Sequence, residues 1–270
     1  MQTDASTPRA EYINNPFMIA VRGLNALFLN AQGVAIFLII LSLLSYLPNL
    51  VQSHTGTQAA SRLPSYEQIL AVLPILIGVT IVAAVVGLII STIIGGISGY
   101  AAARVARGEA TTFSEAAKAT FTSFPALLWL QFLLSIKLLG WTLLLIVPGV
   151  IMSIRYTFAT TIFFDKKLHG NAAIKESINL TRGSWITTFG ALTIFNAITL
   201  SIISPLVQTA TTALLYRQYI ATSNDERPKP HGLSIAAMVL TILAIFIGIG
   251  AAVLVVAYGT TTPTGTTLSV

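Results

Sequence analysis

The sequence has no cysteine and very little charge. Only 9% of its 270 residues are charged, against roughly 25% in soluble domains, and its mean hydropathy is +0.81. So few charged side chains cannot cover the surface of a soluble domain, and the composition predicts a polytopic membrane protein. The absence of cysteine excludes disulfides, thiolate metal sites and cysteine nucleophiles.

Long apolar runs predict an all-α transmembrane bundle of about seven spans, each needing roughly 20 apolar residues. The predicted spans are 31–48, 69–103, a hairpin at 125–164, a hairpin at 184–220, and 233–258. The hairpins are expected to break at Pro148-Gly149 and at Ser204-Pro205, because proline interrupts a helix. The second span exceeds one bilayer crossing and should tilt or extend into the cytoplasm.

These spans define the expected organisation of the chain. It comprises a polar N-terminal tail at 1–15, a six-span core at 16–221, a cytoplasmic linker at 222–232, an extra span at 233–258 and a Thr-rich tail at 259–270. Residues 1–15 are polar and the first long apolar run starts near Gly33, so no cleavable signal peptide is expected.

Basic residues support this topology with the N-terminus in the cytoplasm. The cytoplasmic segments then hold 12 of the 15 Lys and Arg residues, which are Arg9, Arg22, Arg104, Arg107, Lys118, Lys166, Lys167, Lys175, Arg182, Arg217, Arg227 and Lys229. Loops rich in Lys and Arg stay inside, so the net charge of +6 reflects topology rather than nucleic-acid binding. We expect an inner (cytoplasmic) membrane protein with an external C-terminus.

Three short amphipathic stretches, each before a predicted span pair, predict interfacial helices on the cytoplasmic side. Their apolar faces are Phe17, Val21, Leu24 and Phe28; Phe113, Ala117, Phe121 and Phe124; and Ile174, Ile178 and Trp185. Ordinary amphipathic loops remain the alternative.

The segment from Pro148 to Trp185 carries a pattern of breakers and aromatic residues. It comprises Pro148, Gly149, Arg155, Tyr156, Phe158, Ala159, Asp165, Ser177, Gly183 and Trp185, and Leu214-Leu-Tyr-Arg217 follows near the end of the sixth span. This pattern resembles a bacterial polytopic membrane-protein superfamily that includes the membrane domain of some glycerophosphodiester phosphodiesterases. The resemblance implies a six-span fold. It implies no activity, because the sequence shows no phosphodiesterase domain.

The predicted spans contain no Asp, Glu or His, which argues against aspartyl proteolysis, zinc sites and proton-coupled transport within the membrane. We therefore predict no catalytic residue, no metal site and no cofactor. One motif, Gly96-Ile97-Ser98-Gly99, matches the GxSG form of rhomboid serine proteases. A nucleophilic serine needs a base within reach, and His54, His169 and His231 all lie in predicted loops.

Gly99 of this motif also belongs to a ridge of small residues at four-residue intervals, which is typical of close helix packing in membranes. The ridge comprises Ala83, Gly87, Ser91, Gly95, Gly99 and Ala103. Packing is the preferred interpretation of this segment.

Two basic residues, Lys137 and Arg155, lie within apolar runs, where a charge is costly and normally faces protein or water. Together with Gln131 they form a candidate site for a phosphate or a lipid headgroup. Snorkelling of both side chains to the interface is the alternative.

The leading hypothesis is a non-enzymatic integral membrane protein that binds or organises lipid, possibly anionic, or scaffolds other membrane proteins. Homo-oligomers or membrane-protein partners are expected, and nucleic acid is not. Two alternatives remain: a small transporter or channel for an anionic solute or lipid that uses Lys137 and Arg155, and a remote one, an intramembrane serine hydrolase at Ser98.

Overall fold

The structure is a computed structural model that describes residues 12–54, 66–198 and 203–259. Within these ranges the regular structure is entirely helical. The α-helices are α1 (Pro16–Asn30), α2 (Gln32–His54), α3 (Tyr66–Ala106), α4 (Phe113–Thr122), α5 (Phe124–Leu144), α6 (Ile146–Tyr156), α7 (Ala159–Asp165), α8 (Asn171–Leu180), α9 (Trp185–Ile198), α10 (Ser204–Ala221) and α11 (Gly232–Gly259). A short 3₁₀ turn, Asn224–Glu226, precedes α11.

Four or five of the described segments are long and apolar enough to cross a membrane. Four are Leu70–Ala106, Phe124–Leu144, Ile146–Asp165 and Gly232–Leu254, and the fifth is α1 with α2, bent by 118°, if these count as one span. The prediction of an all-helical membrane protein with several spans is confirmed at this level. The two predicted spans outside this set are α9, with 14 residues, and α10.

Helix α10 is less apolar than the four long spans, and most of it packs against other helices. Buried positions make up 11 of its 18 residues, and it packs against α1, α3, α9 and α2. Tyr216, Leu215 and Val207 on it are fully buried. A helix surrounded by other helices need not be apolar on every face, so the sequence of α10 can include threonine, glutamine and tyrosine.

The short helix α1 lies against α10 at a point of very close approach. A Cβ atom at Gly23 would overlap the backbone carbonyl of Ala210. Ile19, Ala20 and Leu27 complete the buried face of α1. Small residues thus allow the two backbones to meet, as in other membrane helix pairs.

The three predicted amphipathic stretches form helices α1, α4 and α8, although Phe124 and Trp185, assigned to the second and third stretches, instead begin α5 and α9. The predicted apolar faces of α1 and α4 point outward. Phe17, Val21 and Phe28 are exposed on α1, and Phe121 is 58% exposed on α4. The buried residues of α4 are Ala116 and Thr120. In a membrane protein the largest apolar side chains can face lipid while small residues face protein, which reverses the rule for soluble helices.

The hairpin of α5 and α6 turns at Leu145, not at Pro148-Gly149 as predicted. Leu145 is extended, with φ −163° and ψ 140°, and Pro148 lies in the first turn of α6, where a missing N–H costs nothing. Gly149 contributes in another way, because a Cβ there would meet Thr142 Oγ1 at 2.7 Å. At the other predicted break, α10 begins at Ser204 and Pro205 lies in its first turn.

A second interruption, between α6 and α7, was not predicted. The helix breaks at Thr157 and Phe158, and the buried hydroxyl of Ser177 on α8 satisfies the freed backbone. Ser177 Oγ donates to the Arg155 carbonyl (2.6 Å) and accepts from the Phe158 N–H (3.2 Å). One side chain therefore supplies both hydrogen-bond partners that the break requires.

Candidate functional site

A cavity of about 1190 Å³ lies among α2, α3, α6, α7, α9 and α10. Its volume exceeds the roughly 300–1,000 Å³ of typical ligand pockets. Twelve lining residues carry hydroxyl groups: Ser42, Ser45, Ser91, Ser98, Ser153, Thr157, Thr160, Thr161, Thr193, Ser204, Thr209 and Thr212. Asn196 and Gln208 add two amides, and no charged residue is among the described lining.

Most of these hydroxyls donate their hydrogen to the backbone of their own helix. Ser98 Oγ donates to the Ile94 carbonyl (2.6 Å) and Thr209 Oγ1 to the Pro205 carbonyl (2.8 Å). The same kind of bond, three or four residues back along the helix, is made by Ser42, Ser45, Ser91, Ser153 and Thr157. A hydroxyl that donates in this way keeps its oxygen lone pairs as acceptors.

The amides on the wall also direct donors toward protein. Asn196 Nδ2 donates to the Leu192 carbonyl (2.6 Å), and Gln208 Nε2 donates to Ser204 Oγ (3.0 Å). The described wall is thus polar without being charged, and seven of its hydroxyl oxygens keep lone pairs for further hydrogen bonds.

The cavity ends where the aromatic core begins. On α7 the lining stops at Thr161, and the next residues inward are the buried Phe163 and Phe164. On α10 it stops at Thr212, and Tyr216 and Tyr219 follow in the core. These aromatic residues form a packed floor on the side of the bundle that carries the basic loops.

An ion pair lies below this floor. Arg107, just after α3, pairs with Asp165 through two hydrogen bonds, one of them Nη2 to Oδ2 at 2.9 Å. The Tyr216 hydroxyl donates to the same carboxylate at 2.7 Å. The Asp165 side chain is 3% exposed and that of Arg107 is 50% exposed. The carboxylate raises the pKa of Arg107, and the group connects α3, α7 and α10. Asp165 therefore links three helices at this end of the bundle.

Arg227 in the linker before α11 makes a second polar cluster. Its guanidinium donates to the carbonyls of Leu180 (2.5 Å) and Tyr219 (2.9 Å), near the ends of α8 and α10. It also lies over the Tyr219 ring at 4.2 Å. Burial lowers the pKa of Arg227. A cation at two helix C-termini satisfies free carbonyls and complements both helix dipoles.

The residues predicted to bind a ligand lie elsewhere. Lys137, Arg155 and Gln131 are all partly exposed, and none of them is among the lining residues of the cavity. On α6 the cavity is lined by Ser153 and Ile154, and Arg155 points off this face. Arg155 Nε is buried without a hydrogen-bond partner among the described residues. The structure does not bring these three residues into one polar site with the hydroxyls.

The predicted ridge of small residues has different surroundings along α3. Ala83 and Gly87 are exposed, and Ser91, Gly95 and Gly99 line the cavity. Gly99 and Ala103 are buried, and a Cβ at Gly99 would crowd Thr160 of α7. Packing of α3 also depends on Gly96, which lies outside the predicted ridge and contacts Thr120 of α4.

The hydroxyl-lined cavity was missed by sequence reasoning, although a signal exists. Serine and threonine recur within the apolar runs of α2, α3, α9 and α10, and each alone is compatible with helix packing. Only the arrangement of the helices shows that they share one space. Among the described residues, no three His, Asp or Glu side chains gather as metal ligands.

Comparisons with known proteins identify no relative of this chain. No protein-family model, no curated protein and no solved structure matches the chain. The resemblance to the phosphodiesterase-associated membrane superfamily therefore stays a prediction.

Proposed function

We propose that this chain is a seven-span inner-membrane protein that binds and organises lipid without catalysing a reaction. The observation that carries the proposal is a large, uncharged, hydroxyl-lined cavity within the helix bundle. Its walls are polar enough for a headgroup, and the surrounding helices expose apolar side chains suited to acyl chains. Leu43 and Leu44 of α2 and Leu76 of α3 are examples, each more than half exposed.

The proposed orientation places the N-terminus inside and the C-terminus outside. The Arg107 to Asp165 pair, Arg227 and the basic loops then lie on the cytoplasmic side, and the cavity lies within the membrane. The exposed apolar faces of α1 and α4 at the same end are suited to the lipid interface. Anionic lipids attracted to the basic face, a second copy of the chain and other membrane proteins are the proposed partners.

Native mass spectrometry tests lipid binding directly. The full-length protein is extracted gently and exposed to an equimolar mixture of phosphatidylcholine, phosphatidylglycerol and glucosyl diacylglycerol with identical acyl chains. Selective retention of one class, in a defined number per protein, is the expected result. Retention of all three in proportion to their supply would contradict the proposal.

A small transporter is the second candidate, favoured by the position of the cavity. One of its walls is an interrupted helix, α6 with α7, and broken helices often line substrate sites in transporters. The anion-transport version depends on Lys137 and Arg155. Flux in proteoliposomes that is lost in a Lys137→Ala, Arg155→Ala double variant would support it, and no flux of any anion or phospholipid would oppose it.

The serine hydrolase hypothesis gains no support from the surroundings of Ser98. Its hydroxyl donates to the Ile94 carbonyl, and the described lining of the cavity contains neither histidine nor carboxylate. Labelling of the wild type by a fluorophosphonate, abolished by Ser98→Ala, would nevertheless revive it.

A further inference from the structure

We infer that the cavity takes an uncharged polyhydroxyl group, such as the sugar of a glycolipid or a free sugar of the same kind. This inference rests on the proposed lipid-binding function and names the chemical class of its ligand. Its basis is the direction of the hydrogen bonds on the wall, not the volume of the cavity alone.

Seven of the twelve hydroxyl groups on the described wall present acceptors to the cavity. They donate to backbone carbonyls three or four residues back in the chain, so the hydrogen is committed while each oxygen can still accept one more bond. The other five hydroxyl groups belong to Thr160, Thr161, Thr193, Ser204 and Thr212, and a hydroxyl can donate as well as accept. A ligand with several hydroxyl groups, each able to donate and to accept, fits such a wall.

The lack of charged residues on the described wall limits the expected ligands to neutral ones. The described lining has neither a basic residue nor a carboxylate, and Lys137 and Arg155 lie outside it. An ionised group moved from water into a low-dielectric site without a partner costs several kcal/mol. A neutral headgroup with many hydroxyls avoids this cost, whereas a phosphate or a free ammonium group incurs it.

The test removes wall oxygens without disturbing the fold. A Ser98→Ala, Thr209→Val double variant deletes two acceptors from opposite helices, α3 and α10. The carbonyls that lose these hydroxyl bonds keep their helical partners, so no buried group is left unsatisfied. Thr241→Val is the matched control, because Thr241 donates to the Ala237 carbonyl at the same 2.8 Å and lies on α11, away from the cavity.

Retention of lipid is measured by native mass spectrometry with the three-lipid mixture described above, and then with free methyl glucoside as competitor. We expect the wild type and Thr241→Val to retain glucosyl diacylglycerol selectively. The double variant should lose about tenfold in retention, since each hydrogen bond is worth roughly 0.5–1.5 kcal/mol. Displacement by methyl glucoside identifies the free sugar as a second source of the ligand, and no displacement restricts the site to the lipid form.

Other outcomes separate this inference from the function on which it rests. Selective retention of phosphatidylcholine or phosphatidylglycerol keeps lipid binding and overturns the ligand class. Undiminished glycolipid retention by the double variant places the sugar outside the cavity and also overturns it. Uptake in proportion to supply contradicts the proposed function itself. Melting temperatures of all variants, measured alongside, exclude misfolding as the cause of a loss.

Discussion

At the scale of single residues, Asp165 and Arg107 form a pair in which one member is buried and the other is half exposed. Loss of the arginine leaves a buried carboxylate with Tyr216 as its remaining partner. Loss of the carboxylate leaves a guanidinium that water can reach. Removing one partner of a buried charge is the costly case, so the two substitutions are not equivalent.

We therefore predict that Arg107→Ala destabilises the protein by about 3 kcal/mol and Asp165→Asn by about 1 kcal/mol, because asparagine still accepts from Tyr216. The measurement is thermal unfolding in detergent. Arg104→Ala is the control, since Arg104 pairs with Glu109 and both side chains are more than 40% exposed. Equal losses of stability for Arg104→Ala and Arg107→Ala would show that the buried pair contributes no more than the exposed one.

The Ser177 hydroxyl hydrogen-bonds to the backbone at the break between α6 and α7, not to that of its own helix. Ser177→Ala should cost about 1–3 kcal/mol, because it strands the Arg155 carbonyl and the Phe158 N–H in a buried site. Ser153→Ala removes a hydroxyl that bonds only to its own helix, and its cost should be small. Unfolding curves of the two variants make the comparison, and an effect of Ser177→Ala no larger than that of Ser153→Ala refutes this account of the break.

At the scale of elements, the crossing of α1 and α10 depends on a glycine. Gly23→Ala should destabilise the protein by about 1–3 kcal/mol, since the new Cβ would force the α10 backbone away. Gly140→Ala on α5 is the matched control, because nothing lies within 4 Å of a Cβ there, and alanine is the better helix former by up to about 1 kcal/mol. If Gly23→Ala proves neutral in thermal unfolding, the helices do not approach this closely.

Helix α4 begins with a capping box that gives its stability a pH dependence. Glu115 accepts from the Thr112 N–H (3.1 Å) while Thr112 Oγ1 accepts from the Glu115 N–H (3.2 Å). The first of these bonds, with one from Thr111, lowers the pKa of Glu115 below its ordinary value of 4.5. A lowered folded-state pKa contributes stability above the unfolded pKa, which is lost as pH falls through the folded pKa.

The expected result is that wild type exceeds Glu115→Gln in melting temperature at pH 6, and that this difference shrinks as the pH falls below 4.5 and is lost once the pH lies below the lowered folded-state pKa. Glutamine keeps a capping acceptor without titrating, so it isolates the charge. A difference that persists unchanged at acidic pH would assign the effect to something other than the Glu115 carboxylate.

How much of these elements could be predicted depends on what each helix contacts. Almost all of residues 70–90 of α3 and most of α11 are exposed, and their continuous apolar runs were predicted correctly. The break at Leu145 was placed three residues late, because proline is compatible with a first helical turn. The apolar faces predicted for α1 and α4 are exposed, which is what an interfacial helix requires, but apolar periodicity gave no sign of the small residues, Gly23 and Ala116, that face other helices.

At the scale of the whole molecule, the cavity illustrates what sequence reasoning lacks. Its wall takes residues from α2 at Ser42 to α10 at Thr212, and no local pattern relates positions so far apart. Lys137 and Arg155 attracted attention because a charge in an apolar run is conspicuous, whereas single hydroxyls are common in membrane helices. The candidate site instead consists mainly of serine and threonine residues that helix packing brings together.

The number of spans is a property of the whole molecule. Because the chain has no cysteine, single-cysteine variants can be used to count its spans. The decisive position is Ser201, between α9 and α10 and outside the described residues. If these helices form a transmembrane hairpin, Ser201→Cys should react with an impermeant maleimide in intact cells. If they are a re-entrant pair, it should react only after permeabilisation. Both arrangements leave the C-terminus on the same side of the membrane, so its location cannot distinguish them.

Two further single-cysteine variants calibrate the Ser201 experiment. Thr57→Cys lies in the predicted external loop and should react in intact cells. Ser114→Cys, in the exposed first turn of α4, should react only after permeabilisation. The predicted seven spans require Ser201→Cys to follow Thr57→Cys. If it follows Ser114→Cys, then α9 and α10 enter and leave the membrane on the basic side, and the hydroxyl-lined cavity has one of its walls formed by a re-entrant loop.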